Sequence, residues 1–321
     1  MNIKDHNKIF SALADETRLR IVNILSNCEL NVQDLVSVLS QSQPRVSRHL
    51  KILDEANLIE RIKEGNWVFC KLISSEGIRP IIDYVSKTKK NNSDIYTRDQ
   101  KKLSLLIKNR AREANYYFNR IESEDASIGE YNISDNIIDQ KIISIIEKNI
   151  KLPLSDIIDL GTGSGKILSL LSGSYLHGIG IDNNPNMLKM ARSRFKQQGI
   201  QNCDLTFGDI TDLSLKENNA DLVVLHQVMH YFDDPNILIS QAARLLMRDK
   251  YILVVDFDSH SNESLRKRFS HRRLGFSDEQ IINIFEKYNC ILIDKDSGAS
   301  NRLKNVEGLV CKIWLGKKQG K

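Results

Sequence analysis

This sequence has little that points outside the cell or into a membrane. Its five cysteines, at positions 28, 70, 203, 290 and 311, are scattered, with no C-x-x-C pair and no His/Cys cluster. A disulfide framework and a zinc knuckle are therefore not expected; reduced thiols in a cytoplasmic protein are, and no metal site. No apolar run reaches the ~18 residues a spanning helix needs, and the opening M-N-I-K-D-H-N-K lacks an apolar signal core. Charge of one sign is not in large excess either. A net +5 permits a nucleic acid partner without demanding one. There is no internal repeat and no low-complexity tract.

What is present is enough for two cores. At ~100–200 residues per domain, a chain of 321 residues with 41% hydrophobic and 27% charged composition reads as two globular domains. Residues 1–86 carry dense helical periodicity and end in a strand-like stretch. Residues 87–150 open with the polar K-T-K-K-N-N-S-D and continue with apolar groups at helical intervals, which reads as a linker with connecting helices. From 151 to 321 short apolar runs alternate with helical segments: I-I-D-L, G-I-G-I-D, L-T-F-G-D, D-L-V-V-L and Y-I-L-V-V-D-F. Strands alternating with helices predict an α/β domain with a mostly parallel sheet.

In the first region, Leu13, Leu19, Ile21, Val22 and Leu25 give a helix pair one apolar face. N-V-Q-D-L-V-S-V-L follows as a short helix with Asn31 at its N-cap. After a tight S-Q-S turn, Q-P-R-V-S-R-H-L-K-I-L begins a second helix, with Ser42 as N-cap and Pro44 in the first turn, where proline is tolerated. Val46, Leu50 and Leu53 fall at i, i+4 and i+7 and face the core. Gln43, Arg45, Ser47, Arg48 and Lys51 make the other face, donor-rich and without a carboxylate until Asp54, which suits phosphates and base edges. Ser42 and His49 are counted with these DNA contacts. L-I-E-R-I-K-E-G-N-W-V-F-C-K-L then reads as a hairpin turning at Gly65, a wing from which Arg61 and Lys63 reach backbone phosphate.

L-A-D-E-T-R-L-R-I-V-N-I-L, S-Q-P-R-V-S-R-H-L-K and the wing resemble the ArsR/SmtB family of winged helix-turn-helix repressors over residues 5–75. The resemblance implies an α+β winged helix domain and a homodimer on a palindromic double-stranded DNA operator. One departure matters. Metal-sensing members carry cysteines in an E-L-x-V-x-D-L segment; here Asn31 and Gln33 stand where thiolates belong, so that soft-metal site is absent.

The second region opens on D-L-G-T-G-S-G-K, residues 159–166. A Walker A loop needs G-x-x-x-x-G-K-[ST], but Leu160 occupies the first glycine position and Ile167 follows the lysine. The dinucleotide pattern G-x-G-x-x-G meets Lys166 at its third glycine, which weakens that reading. What stands is Asp159 with Gly161, Gly163 and Gly165. A carboxylate at the strand end repels a pyrophosphate and suits an ammonium or sulfonium. Asp182, ending the next strand, can accept from both ribose hydroxyls, and Asp209, ending the third, is placed for an adenine amino group with Ile210 against the ring. Three acids at successive strand ends describe a nucleoside with a cationic tail.

In order, D-L-G-T-G-S-G, G-I-D-N-N-P-N-M-L, G-D-I and D-L-V-V-L-H-Q-V-M-H-Y-F-D-D-P resemble the class I S-adenosylmethionine-dependent methyltransferases, over residues 150–315. The resemblance implies a Rossmann-like fold in which Asp159, Thr162 and the three glycines line the methionine moiety. Asp182 takes the ribose with Asn183 and Met187 nearby, Asp209 and Ile210 frame the adenine, and His226 and Gln227 flank the methyl group. Tyr117-Phe118-Asn119-Arg120, L-H-Q-V-M-H-Y and H-R-R-L-G-F-S-D further resemble fusions of an ArsR-type domain with a ubiquinone/menaquinone methyltransferase-like domain, in which the segment at Tyr117 closes over the cofactor.

If the segment after the fourth strand is helical, His226 and His230 share a face and are the first candidates for a catalytic base; Asp234, His260 and His271 are others. The basic run His271-Arg272-Arg273 either clamps an anionic acceptor or precedes a helix cap. Two functions fit: a DNA-binding regulator that methylates a small molecule, and one that only senses S-adenosylmethionine or its product S-adenosylhomocysteine. Base methylation of DNA is disfavoured, because L-H-Q-V stands where an N-P-P-[YF] motif belongs.

Overall fold

The computed structural model describes residues 3–26, 28–64, 66–73, 78–87, 94–123, 136–215, 217–299 and 309–320. The chain divides into two units, residues 1–113 and 114–321.

In the first unit, helix α1 (Ile3–Leu13) precedes α2 (Glu16–Leu25), which starts where Asp15 accepts from the Arg18 amide at 3.0 Å. A two-residue strand β1 (Leu30–Asn31) leads into α3 (Val32–Leu39). Asn31 and Asp34 form a reciprocal capping box there, each side chain accepting from the other's amide, at 3.0 and 3.3 Å. Ser40 ends α3 in the left-handed region with φ 51°, and α4 (Gln43–Glu55) begins with Pro44 in its first turn and Ser42 extended before it, without a side-chain cap bond. Strands β2 (Ile59–Glu64) and β3 (Trp67–Leu72) pair antiparallel, in the order β1-β3-β2. The turn expected at Gly65 lies outside the described residues. Val46, Leu50 and Leu53 are fully buried among Ile21, Leu35, Leu58 and Ile59, each stabilising by roughly 1.5–3 kcal/mol. The α+β winged helix is therefore present.

Two further helices follow, α5 (Arg79–Lys87) and α6 (Asp94–Ser123). Leu103 of α6 is buried in the same core and Leu106 packs against it. Helix α7 (Asn136–Asn149) packs into the second unit instead, presenting Ile138, Ile142, Ile145 and Ile146 to a cluster with Leu154 and Ile157. The stretch 87–150 expected to connect the domains thus contributes to both.

The second unit holds, among the described residues, a seven-stranded sheet in the order β6-β5-β4-β7-β8-β10-β9. Its strands are β4 (Leu154–Leu160), β5 (Tyr175–Asp182), β6 (Cys203–Phe207), β7 (Ala220–His226), β8 (Leu246–Phe257), β9 (Cys290–Ala299) and β10 (Val310–Lys318). The first five are parallel, and β10 runs antiparallel to β8 and β9. The apolar runs read in the sequence are these five parallel strands. Such strands are covered on both faces, which is why they read as near-continuous Val/Ile/Leu. From β4 the chain proceeds outward through β5 and β6, then returns to β7 on the other side. The order therefore reverses between β4 and β7, and in such sheets ligands bind at the carboxyl ends beside that point. Among the described residues no helix is long and apolar enough to cross a membrane.

Candidate functional site

On the first unit, α4 leaves Gln43, Arg45, Arg48 and Lys51 exposed, while Val46 and Leu50 are buried. Ser42 is also exposed and Ser47 half-buried; Arg61 and Lys63 are exposed on β2. Gln43 is oriented by Gln33, whose amide donates to it at 3.1 Å. His49, expected with these contacts, turns inward. It is 9% exposed, and its Nδ1 lies 3.5 Å from Asp15 Oδ1. The reason is helical geometry: position 49 follows Val46 by three and precedes Leu53 by four, so it belongs to the core stripe. Burial pushes its pKa down. The residues standing where metal-binding thiolates belong have structural work here, Asn31 as a helix cap and Gln33 as a partner of Gln43.

On the second unit, the loop after β4 folds back on β5: the Gly161 and Thr162 amides both donate to the Ile181 carbonyl at 2.9 Å. Gly161, Gly163 and Gly165 have φ of 76°, 51° and 73°, the left-handed region that glycine adopts without steric cost. Their surroundings differ. A Cβ on Gly161 meets Val228 at 2.4 Å and one on Gly165 meets the Phe195 ring at 2.8 Å, whereas one on Gly163 meets no atom within 4 Å. The backbone is thus packed on both sides of an open space at Gly163.

Two carboxylates hold this loop, Asp159 through Thr162 and Asp182 through Gly163. Asp159 is 1% exposed; its Oδ2 accepts from the Thr162 hydroxyl at 2.7 Å, and its Oδ1 has no hydrogen-bond partner. Burial raises its pKa to about 7, the nearby Asp182 charge adding to the effect. Asp182 accepts from the Gly163 amide and from the Asn184 amide, both at 2.8 Å. Burial raises its pKa as well, against the pull of those amides. A buried, half-satisfied carboxylate beside a second one is unfavourable by itself and becomes favourable around a cation. Asn183 is exposed and Met187 buried at the start of helix α8 (Pro185–Gln198). Asn184, which sequence reasoning passed over, is the buried cap of α8, accepting from the Asn186 and Met187 amides at 2.9 and 3.2 Å. An Asn directly before a helix-opening proline was the available signal.

The third acid behaves differently. Strand β6 stops at Phe207, and Asp209 lies beyond it, exposed, with its Oδ1 accepting from the amide and hydroxyl of Thr211 at 2.8 and 2.7 Å. Ile210 is buried in the core with Ile158, Leu160 and Ile181. Tyr117 belongs to α6, in a stretch whose side chains lie outside the described residues.

After β7 the expected helix carrying both histidines is not there. His226 is the half-buried last residue of the strand, and His230 sits in a 3-10 turn over Met229–Tyr231. Between them Gln227 holds φ 51°, a conformation that costs a non-glycine residue ~1–2 kcal/mol; its amide donates to the Val255 carbonyl at 2.7 Å. Val228 is the residue packed on Gly161, so this turn lies directly against the glycine loop. His230 is 2% exposed, with Nδ1 2.7 Å from Asp256 Oδ1 and its ring 4.1 Å from that of His271. Burial drives the pKa of His271 well down and that of His260 to about 4. The basic run is engaged internally: Arg272 Nε donates to Asp233 Oδ1 at 3.0 Å, and Arg273 Nε to the Asp233 carbonyl at 2.9 Å. Among the described residues no group of three His, Cys, Asp or Glu side chains is arranged to hold a metal ion.

Comparison with known proteins agrees with this division. Residues 15–61 match the model of the bacterial regulatory protein arsR family, and residues 153–300 match a methyltransferase-domain model. The arsenical resistance operon repressor of Escherichia coli is 52% identical over 66 residues, 20% of this chain and 56% of that one, so the chain spans about half of that relative. An uncharacterised HTH-type transcriptional regulator of Methanocaldococcus jannaschii is 35% identical over 81 residues, 25% of this chain and 90% of that one. A Bacillus halodurans methyltransferase structure superposes with a TM-score of 0.50 at 16% identity, covering 57% of this chain and 99% of that one, a likeness of fold. The chain therefore belongs, through its first unit, to the arsR family of bacterial regulatory proteins, and its second unit is a methyltransferase domain.

Proposed function

We propose that this protein is an operator-binding regulator, acting in the cytoplasm as a homodimer, whose second domain binds S-adenosylmethionine and transfers its methyl group to a small molecule. The observation that carries the reading is the glycine loop itself, with open space at Gly163, the Gly163 amide bonded to Asp182, and the buried Asp159 with one orphaned oxygen behind it. Carboxylates at that point fit a ligand with cationic groups and a ribose. Asp159, Thr162 and the three glycines take its methionine end, Asp182 with Asn183 and Met187 its ribose. Asp209 and Ile210 take its adenine, and Tyr117 closes over it. When bound, the cofactor would supply a methyl group on a sulfonium, open to in-line attack at carbon by an acceptor nucleophile with the thioether as leaving group.

The chain's contribution is to orient that displacement and keep water out. His226 and Gln227, at the carboxyl end of β7, are placed to flank the acceptor, and His226 or His230 takes a proton where the nucleophile carries one. On DNA, Gln43, Arg45, Ser47, Arg48 and Lys51 enter the major groove, with Ser42, Arg61 and Lys63 on the backbone.

A second reading, a sensor that binds S-adenosylmethionine or S-adenosylhomocysteine without methyl transfer, is favoured by the inward, Asp256-bound position of His230. The deciding experiment is mass spectrometry of the ligand that co-purifies, followed by operator titration with and without it. A nucleoside sulfonium or thioether is expected; a dinucleotide overturns the site assignment.

A further inference from the structure

Of the two residues that stand where metal-binding thiolates belong, Asn31 caps α3, and Gln33, two positions on, is exposed. Gln33 Nε2 donates to Oε1 of Gln43 at 3.1 Å, across ten positions and the turn of the helix-turn-helix. Both ends of this contact stand on held backbone. Gln33 lies inside the Asn31–Asp34 capping box, whose two bonds measure 3.0 and 3.3 Å, and Leu35, Val38 and Leu39 anchor α3 in the core. Gln43 opens α4 directly before Pro44, which fixes the backbone of the first turn, and Val46 and Leu50 of the same helix are fully buried. The distance between the two amides is therefore set by how α3 packs on α4.

In a helix-turn-helix the first helix crosses the DNA backbone, and the N-terminal residues of the second meet base edges. Gln33, at the second position of α3, and Gln43, at the first of α4, fall on those two roles. An isolated glutamine is an ambiguous reader, because its terminal torsion is soft and the amide offers either its oxygen or its amine. Here Gln33 claims one lone pair of the Gln43 oxygen, which fixes the acceptor end. That oxygen has a second lone pair, and the amine beside it carries two hydrogens. An acceptor beside a donor matches adenine, whose major-groove edge shows the N6 amine next to N7. Guanine shows two acceptors there, O6 and N7, and sets one of them against the fixed oxygen. The second hydrogen on Gln33 Nε2 suits a phosphate oxygen of the backbone that α3 crosses.

We propose that Gln33 and Gln43 read adenine as one unit. Gln43 bonds the base through both ends of its amide, while Gln33 holds that amide in register and donates to a backbone phosphate. The unit rests on the operator binding of the proposed function, with α4 in the major groove. A position that serves metal capture in metal-sensing members is in this way part of the DNA-reading surface.

The test uses the full-length protein and duplexes that it selects from a random-sequence pool. Gln33→Met, Gln43→Ala and the double variant are taken through the same selection. Methionine keeps the length and helix preference of this exposed side chain but has no hydrogen to donate. The base position governed by Gln43 is the one at which Gln43→Ala loses the parent's preference. At that position the parent is expected to bind adenine about tenfold more tightly than guanine in fluorescence anisotropy, and Gln33→Met to bring that ratio toward one. Adding Gln33→Met to Gln43→Ala then changes the ratio no further, as expected of two residues acting together. A Gln33→Met protein that keeps the parent's full adenine preference overturns the unit, as does a parent that favours another base at that position. A Gln43→Ala protein that loses no preference at any position overturns it too. If the parent enriches no sequence from the pool, operator binding itself fails and the unit falls with it.

Discussion

The recognition helix offers Gln43, Arg45, Arg48 and Lys51 to solvent, whereas the acids of the glycine loop are withdrawn from it, Asp159 entirely. The two surfaces suit two kinds of partner. A DNA backbone is a large anion, met by exposed cations that stay hydrated until contact and act additively. A small cationic ligand has to be enclosed, and the carboxylates that meet it carry a desolvation penalty until it arrives. The consequence is that substitutions in the second unit have large, conditional effects, whereas those in the first have smaller, graded ones.

The largest expected effect is at Asp182. Asp182→Ala removes the acceptor of the Gly163 and Asn184 amides as well as the proposed ribose contact. With hydrogen bonds to charged groups worth ~1.5–3 kcal/mol each, cofactor affinity falls about 100-fold or more while operator binding persists. An unchanged calorimetric titration removes this residue from the site.

The pH dependence of Asp159 comes next. Its pKa is raised from 3.8 to about 7 in the folded protein, so between those values the folded state binds the extra proton and stability falls as pH rises. The cost is complete above about pH 7 and amounts to on the order of 4 kcal/mol at most. Asp159→Asn is therefore expected to raise the melting temperature of the ligand-free protein at pH 8 but hardly at pH 4. A cationic ligand prefers the carboxylate, so its affinity in the parent climbs as pH rises toward about 7 and then levels off. A flat affinity profile from pH 5 to 8 contradicts the placement of Asp159 against a cation.

Two glycines sharpen the contrast within the loop. Gly165→Ala puts a Cβ against Phe195 at 2.8 Å on top of a φ of 73°, and a loss of about 2–4 kcal/mol in denaturant titration is expected. Gly163→Ala has the strained φ but open space, so it costs ~1–2 kcal/mol and is seen mainly as lost cofactor binding. Equal stability losses at the two positions contradict the open space.

The smallest effects belong to the DNA face. Arg45→Ala and Arg48→Ala are each expected to weaken operator binding by about 1 kcal/mol or more and to lower the salt slope by about one phosphate. His49→Asn, on the inward stripe with Asp15, changes thermal stability and leaves the salt slope alone. A slope lowered by His49→Asn returns that residue to the DNA face.

Much of the first unit was legible because its periodicity is strong. Val46, Leu50 and Leu53 mark a buried stripe, and what lies opposite must be exposed. His49 was misplaced because a polar residue was assigned to the polar face, although its position one turn from Val46 and Leu53 put it inside. In the second unit the five parallel strands were legible as apolar runs, and the glycine loop with Asp159 and Asp182 as strand-end acids. The pair β9 and β10 was not read: C-I-L-I-D-K-D alternates weakly, and V-C-K-I-W-L-G-K-K is interrupted by lysine and glycine. Nor was Asp256, whose role depends on a histidine 26 positions earlier.

Local order along the chain thus determined the elements, the cap at Asn31, the inward stripe of the recognition helix and the chemical character of the loop, since each depends on spacing that the backbone converts directly into direction. The tertiary structure alone decided which charges are paired and which are orphaned. Arg20 met Asp99 across 79 positions, Arg272 closed on Asp233 instead of facing solvent, His230 was locked to Asp256, and Asp159 was left with one bare oxygen. These outcomes depend on burial and on partners brought together by the fold, and electrostatic energy is set by that surrounding dielectric and distance rather than by position in the sequence.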